Sequence, residues 1–201
     1  MALTTVDTTA LSGTITNAQL AGSRALTAKV TGALPIANGG TAATTLAAAG
    51  LSGTPSFLCT MSTSQTSIAD GVITKVAFDT EVYDTNSAYD KDTNYRFTVP
   101  ADEGGKYYIY TKADCADTSG SQLRSFRTYV YKNGSQYAPT VAEVDPRDNP
   151  GKGGAYMAGS IIELAATDYV EAYARLDTNN SEVWSIDTSF SVFGGWKLIG
   201  V

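Results

Sequence analysis

The first 56 residues of this chain contain no Phe, Tyr or Trp, and only three of them are charged. Ordering the backbone of one residue costs about 1–2 kcal/mol of conformational entropy, which buried apolar area must offset. A segment without aromatic side chains and with few large aliphatic ones buries too little area to do so alone. We therefore expect residues 1–56, the stem, either to be ordered by contacts with other chains or to stay disordered.

Apolar side chains recur along the stem at intervals that a polar disordered tract does not show, which favours assembly over a flexible linker. Near its end, Thr41 can cap a short helix over Ala42–Ala49 that terminates at Gly50. Isolated helices need about 12–15 residues to persist in water, so this helix requires a packing partner. Further copies of the same segment are the economical candidate.

From Phe57 onwards the hydrophobic pattern changes to period two, which is typical of half-buried strands. The clearest case is Val170–Leu176, and turn signals such as Asn133-Gly134 separate about ten such segments. Gly194-Gly195 is predicted to interrupt the last of them as a turn or bulge. Regularly spaced short strands without helical periodicity predict an all-β head over residues 57–201, a jelly roll or β-sandwich.

The sequence contains no His and carries a net charge of −6. The chain therefore lacks the commonest general base and metal ligand, and we predict neither an enzyme nor a cofactor or metal. Glycosidases need only a pair of carboxylates, which Asp177, Glu182 and Asp187 can supply, but so can any protein with this many acids. An acidic chain without a long apolar run is expected to bind no nucleic acid and to insert into no membrane.

Cys59 and Cys115 are the only cysteines, and neither lies in a CxxC motif or beside basic residues. The sequence favours two buried free thiols over a disulfide or a reactive thiol. The opening residues lack the basic and apolar stretches of a secretion signal, so we expect synthesis in the cytosol.

The tract Asp145–Tyr156 is predicted to be the longest irregular loop of the head, and loops on a rigid scaffold often carry binding residues. An ordinary solvated loop is the alternative.

The segment Tyr83–Asp92 is rich in oxygen ligands for Ca²⁺, but its spacing does not match an EF-hand loop and favours plain solvation. The Tyr-rich segments 107–110 and 129–131 are predicted to form core and subunit interface rather than a sugar-stacking platform. The receptor-binding candidates are Asp145, Arg147, Asp148, Asn149, Lys152 and Tyr156.

Several head segments occur in an order that resembles the globular head of the first complement component and its tumour-necrosis-factor-like relatives. KVAFDTEVYDTNSAYDKDTNYRFTVPADEGGKYYIYTKAD comes first, VYKNGS follows, and SIIELAATDYVEAYARL and TSFSVFGGWKLI close the series. The resemblance covers residues 57–201 and implies a jelly-roll head.

In the stem, TITNAQLAGS and KVTGALPIANGGTAATTLAAAGL are similar to neck segments that recur in bacteriophage tail fibres, particularly marine and cyanobacterial ones. Phage fibres and tumour-necrosis-factor-like heads are normally three-fold, so both resemblances imply a homotrimer. The fold expected is thus all-β, an extended or short-helix trimerising stem followed by a jelly-roll head. The trimerisation residues implied are Val30, Leu34, Pro35, Ile36, Leu46 and Leu51.

Together these features predict a structural virion component, a bacteriophage tail fibre whose head binds a host surface glycan or protein. Its stem is expected to attach to other virion proteins during assembly in the host cytoplasm. Because the stem is short for a long tail fibre, a capsid decoration or head fibre that clamps the capsid is the main alternative. A free-standing lectin or regulatory head of cellular origin is a third, although such a protein would normally carry a secretion signal.

Overall fold

The computed structural model describes residues 53–118, 120, 123–145 and 151–199. The predicted helix over Ala42–Ala49 and the predicted trimerisation residues lie outside these ranges. Within them no helix is long and apolar enough to cross a membrane.

The described ranges contain strands and one short 3-10 helix, Ala138–Thr140, but no α-helix. The strands are β1 (Ser56–Thr60), β2 (Gln65–Ile68), β3 (Thr74–Lys75), β4 (Thr80–Asp84), β5 (Tyr89–Asp90), β6 (Arg96–Thr98), β7 (Gly105–Asp117), β8 (Leu123–Lys132), β9 (Ser135–Gln136), β10 (Ala142–Val144), β11 (Gly153–Leu164), β12 (Tyr169–Thr178) and β13 (Trp184–Lys197).

The strands form two antiparallel sheets. Sheet one has the order β11-β7-β13-β1-β4, with β2 paired to β13. Sheet two has the order β10-β8-β12-β6-β5, with β3 paired to β12 and β9 paired to β8. The long strands alternate between the sheets along the chain, as in a jelly roll. This arrangement confirms the all-β, jelly-roll prediction for the head.

The core lies between the two sheets and is built from one side of each strand. In β7 every second side chain from Tyr107 to Cys115 is fully buried. The Phe57 ring of β1 lies near the centre of this core, with ring centroids 4.6 Å from Phe97 of sheet two and 5.1 Å from Phe193 of sheet one. Aromatic contacts between the sheets therefore hold the two layers together.

Both cysteines are buried and free, as the sequence predicts. Burial raises the pKa of the Cys59 and Cys115 thiols, because the thiolate would have to leave water. Neither thiol is therefore poised as a nucleophile.

The prediction that Gly194-Gly195 interrupts the last strand is wrong. β13 continues through both glycines, which lie opposite Tyr110 and Ile109 of β7 without a shift in register. The irregularity in this pairing falls instead between Asp187 and Val192. A Cβ atom at Gly195 would lie 2.5 Å from Ile109 Cδ1 and 2.8 Å from the Tyr108 carbonyl oxygen, so the glycine permits close packing rather than a turn.

We predict that Gly195→Ala lowers the free energy of unfolding by about 1–3 kcal/mol, because the added methyl group overpacks the core. Urea denaturation followed by tryptophan fluorescence measures this change. Gly53→Ala is the matched control, since nothing lies within 4 Å of a Cβ at that position. Equal stability of the two variants would contradict the packing argument.

Candidate functional site

The outward side of sheet one is rich in aromatic and aliphatic side chains. Tyr108 and Tyr110 point outwards from β7, at the positions between its buried residues. The register places Trp196 of β13 and Ile161 of β11 on either side of Tyr108. Tyr83 of β4 lies opposite Leu58 of β1, at the far edge of the same sheet. We call Tyr83, Tyr108, Tyr110, Ile161 and Trp196 the aromatic face.

Three rings at the centre of the aromatic face contact one another. The ring centroids of Tyr108 and Trp196 are 4.9 Å apart, and those of Tyr108 and Tyr110 are 6.0 Å apart. Tyr110 and Trp196 meet edge to face, with centroids separated by 6.1 Å. These spacings lie within the range of favourable aromatic pairs, so the rings fix one another in place.

Two glycines make room for the Tyr110 side chain. Gly194 lies opposite Tyr110 on one side and Gly159 on the other. A Cβ atom at Gly194 would be 2.8 Å from the Tyr110 hydroxyl oxygen, and one at Gly159 would be 2.9 Å from the Tyr110 Cβ. The Tyr110 ring therefore occupies space that a larger residue in β13 would take.

The aromatic face remains substantially open to solvent in the single chain. The exposed fraction is 45% for Tyr83, 53% for Ile161 and 42% for Trp196. None of its five members is charged, and the outward side chains of Lys106 and Lys112 flank its two tyrosines on β7. Partial burial raises the pKa of Tyr110, so its hydroxyl stays neutral at physiological pH. The face offers packing surface rather than a nucleophile or a base.

The structure describes only some of the predicted receptor-binding residues. Arg147, Asp148 and Asn149 lie outside the described ranges, whereas Asp145 and Lys152 are exposed. Tyr156 lies in β11 rather than in a loop, and its ring packs beside Phe126 with a centroid distance of 5.4 Å. The receptor-binding role of these residues stays a prediction.

The irregular tract is shorter than predicted because β11 already begins at Gly153. A Cβ atom at Gly153 would lie 2.0 Å from the Cys115 carbonyl oxygen, so only glycine lets β11 approach β7 this closely. Gly153, which falls within the predicted loop, thus serves strand pairing instead. Tyr156 is thereby carried towards the core.

The oxygen-rich segment Tyr83–Asp92 uses its carboxylates to fix its own backbone. Asp84 Oδ2 accepts a hydrogen bond from the Tyr89 amide at 2.7 Å, and Asp90 Oδ1 accepts one from the Thr93 amide at 2.9 Å. The bonds donated by Thr93 and Asn94 lower the pKa of Asp90. No group of three or more metal-ligating side chains occurs within the described ranges.

Two of the three carboxylates considered for glycosidase chemistry, Asp177 and Asp187, lie on different strands. Asp177 lies on β12 of sheet two and pairs with Arg175 at 2.6 Å, whereas Asp187 lies on β13 of sheet one. The two acids therefore belong to different layers of the sandwich.

The Tyr-rich strands divide as the period-two rule requires. Tyr107 belongs to the core, and Tyr108 and Tyr110 belong to the aromatic face. Trp196 is absent from the predicted site residues, because Gly194-Gly195 has the sequence signal of a break in the strand, and Tyr83 falls in the candidate metal segment. The strand register places both residues on this face. Trp196 lies opposite Tyr108 across the β7–β13 ladder, and Tyr83 lies opposite Leu58 across the β1–β4 ladder.

Comparison with solved structures supports the class of fold, a jelly roll like that of murine APRIL. The crystal structure of murine APRIL at pH 8.5 superposes with a TM-score of 0.51 at 11% identity, covering 73% of this chain and 100% of that chain. Murine APRIL at pH 8.0 gives a TM-score of 0.50 at 12% identity over 73% of this chain and all of that one. At this identity the likeness shows the fold alone.

The globular domain of zebrafish complement 1qA is 18% identical and covers 72% of this chain and 97% of that chain, with a TM-score of 0.42. No protein-family model matches the sequence. No curated protein matches it either.

We predict that Gly194→Ala displaces the Tyr110 ring from the aromatic face while costing less than about 1 kcal/mol of stability. The clash is mainly with the outer end of a side chain that can swing into solvent. The near-UV circular dichroism of the tyrosine and tryptophan cluster should therefore weaken while the denaturation midpoint changes little. Destabilisation as large as that of Gly195→Ala would contradict this expectation.

Proposed function

We propose that the chain is a non-enzymatic structural component of a bacteriophage particle, a homotrimeric tail fibre. Residues 57–201 form the head that binds the host surface, and residues 1–56 form the stem that trimerises and attaches to other virion proteins. The aromatic face is the observation that carries the proposal, because it is an exposed cluster of uncharged, largely aromatic side chains that further copies of the chain can cover.

The dimensions of sheet one support this assignment. β7 contains 13 residues, which at ~3.3 Å per residue give a length of about 40 Å. The five strands of the main path are spaced ~4.8 Å apart, so the sheet is about 19 Å wide. The resulting area of roughly 750 Å² is an upper bound, since β1 and β4 have only five residues each, and it approaches the ~800 Å² that each partner contributes to a standard interface. Sheet one is therefore large enough to supply most of the contact with one neighbour.

Charge also favours copies of the chain as the occupants. A chain with a net charge of −6 repels its own copies unless they meet through an uncharged region. The aromatic face supplies such a region, and its Tyr and Trp side chains are the residue types enriched at interface centres. The fold of the head and the resemblance of the stem to fibre necks both favour an assembly of three copies.

A trimer presents three copies of whatever weak binding site the head carries. When one copy is bound, the others bind at the effective concentration set by the fibre, so overall affinity rises without new contacts. The exposed Asp145 and Lys152 and the neighbouring residues up to Tyr156 remain the proposed contact region, with a host surface glycan or protein as partner.

A capsid decoration protein is the second candidate. In that position residues 1–56 would be the arm that clamps neighbouring capsomers. The aromatic face is compatible with either position in the particle.

We predict that the full chain sediments at three times the single-chain mass of 21.1 kDa. Trp196→Asp should weaken the trimer by about 2 kcal/mol or more per interface, because it removes an aromatic anchor and buries an unpaired charge. This corresponds to roughly thirtyfold in the dissociation constant. Sedimentation equilibrium measures both values.

Val72→Asp is the control for Trp196→Asp, since Val72 is 48% exposed but lies outside the aromatic face. It should leave the trimer intact. A full chain that is monomeric at micromolar concentration would refute the proposal.

We predict that an antibody against the head labels the tail of intact particles in immunogold electron microscopy. Labelling restricted to the tail fits a fibre whose stem docks there. Labelling spread over the whole capsid would reject the tail assignment in favour of the decoration protein.

A further inference from the structure

The surface that contains the aromatic face also carries two carboxylates at directly opposed positions. Asp114 of β7 lies opposite Asp187 of β13 in the antiparallel ladder. Both point outwards and both are half-buried. Side chains at opposed positions have their Cβ atoms about 4.5–5.5 Å apart, where like charges destabilise the sheet. Asp114 is four residues from Tyr110, or about 13 Å along β7.

Few positively charged side chains lie close enough to offset the negative charges of Asp114 and Asp187. On β11 the residue opposite Asp114 is Ala155, and β2 beside β13 contains no charged residue. Lys112, two positions away on β7, is the cation that acts on Asp114, and its ammonium lies 5.7 Å from the Phe190 ring centroid. Within the described ranges neither carboxylate forms an ion pair, and Asp187 Oδ1 accepts only the Ser185 hydroxyl at 3.3 Å.

The backbone holds the two carboxylates in place. The ladder between β7 and β13 is regular up to Asp187 and resumes at Val192, so the intervening residues 188–191 bulge from the sheet. Ser191 Oγ donates to the Asp187 carbonyl at 2.5 Å and accepts the Asp114 amide at 2.9 Å. This bridge ties both aspartates to the bulge, so they cannot separate by a slip in register.

We propose that the Asp114–Asp187 pair makes assembly through the aromatic face stronger as the pH falls. The inference rests on the proposed trimer. Copies that meet through sheet one take each pair further out of water, where two adjacent negative charges cost more than one. The uptake of a proton by each pair removes that repulsion, so association and proton binding favour each other.

The pKa of Asp114 in the single chain is shifted in the direction that this proposal requires. Burial, and then the Asp187 charge, raise the pKa of Asp114 above its ordinary value of 3.8, while Lys112 opposes the shift. A carboxyl whose pKa is raised by folding stabilises the fold when protonated, and this contribution is lost as the pH rises through the raised pKa. Further burial in the trimer raises the pKa of the pair again, so the pH at which this contribution is lost moves towards neutral.

Sedimentation equilibrium of the full chain at pH 5.5 and pH 7.5, at one ionic strength and with a chelator present, tests the inference. One proton taken up per trimer changes the association constant by about tenfold per pH unit, so the trimer should be at least about tenfold tighter at pH 5.5. Asp187→Asn should make the trimer at pH 7.5 as tight as the unaltered trimer at pH 5.5. Asp114→Asn should have the same effect, since it removes the other half of the pair.

Asp92→Asn is the matched control, because it removes the same charge from a side chain that is 79% exposed on a loop of the head. It should keep the full pH dependence of the unaltered chain. The inference would be overturned if Asp187→Asn and Asp114→Asn kept the same pH dependence of trimer affinity as the unaltered chain. It would also be overturned if the affinity of the unaltered trimer did not change with pH. If the unaltered chain and all variants are monomeric at both pH values, the proposed assembly itself is wrong.

Discussion

The alternation of side chains along β7 is the constraint on which the rest of the head depends. Successive residues of a strand point to opposite faces, so one half of β7 closes the core and the other half forms the aromatic face. β11 and β13 pair with β7 on either side through long ladders. A slip of one residue would bury Lys112 and expose Ile109, so the core and the outer surface are fixed by one register.

Much of the fold of the head can be predicted from the two-residue alternation of apolar and polar side chains alone. The alternation in Val170–Leu176 and the turn at Asn133-Gly134 locate β12 and the end of β8, and both are where the sequence places them. The burial of both thiols is also predictable, because Cys59 and Cys115 fall in phase with apolar neighbours. These features are local, and local chemistry is enough to define them.

The parts that could not be predicted depend on what lies across the sheet. Gly194, Gly195 and Gly153 carry the sequence signals of turns, yet each lies in a strand where a partner approaches too closely for a Cβ. The partners are Tyr110, Ile109 and Cys115, which are distant in the chain. Only the strand register places Trp196 and Tyr83 in the aromatic face. Asp114 and Asp187, 73 positions apart in the sequence, likewise become neighbours only through the ladder.

The place where the stem joins the head has a mechanical consequence. Ser56 opens β1 and lies opposite Trp196, and β1 runs between β13 and β4 rather than along an edge of the sheet. A pull on Ser56 along β1 therefore loads the ladders on both sides of that strand in shear. The hydrogen bonds share that load and must break together, instead of being unzipped one at a time from a free border.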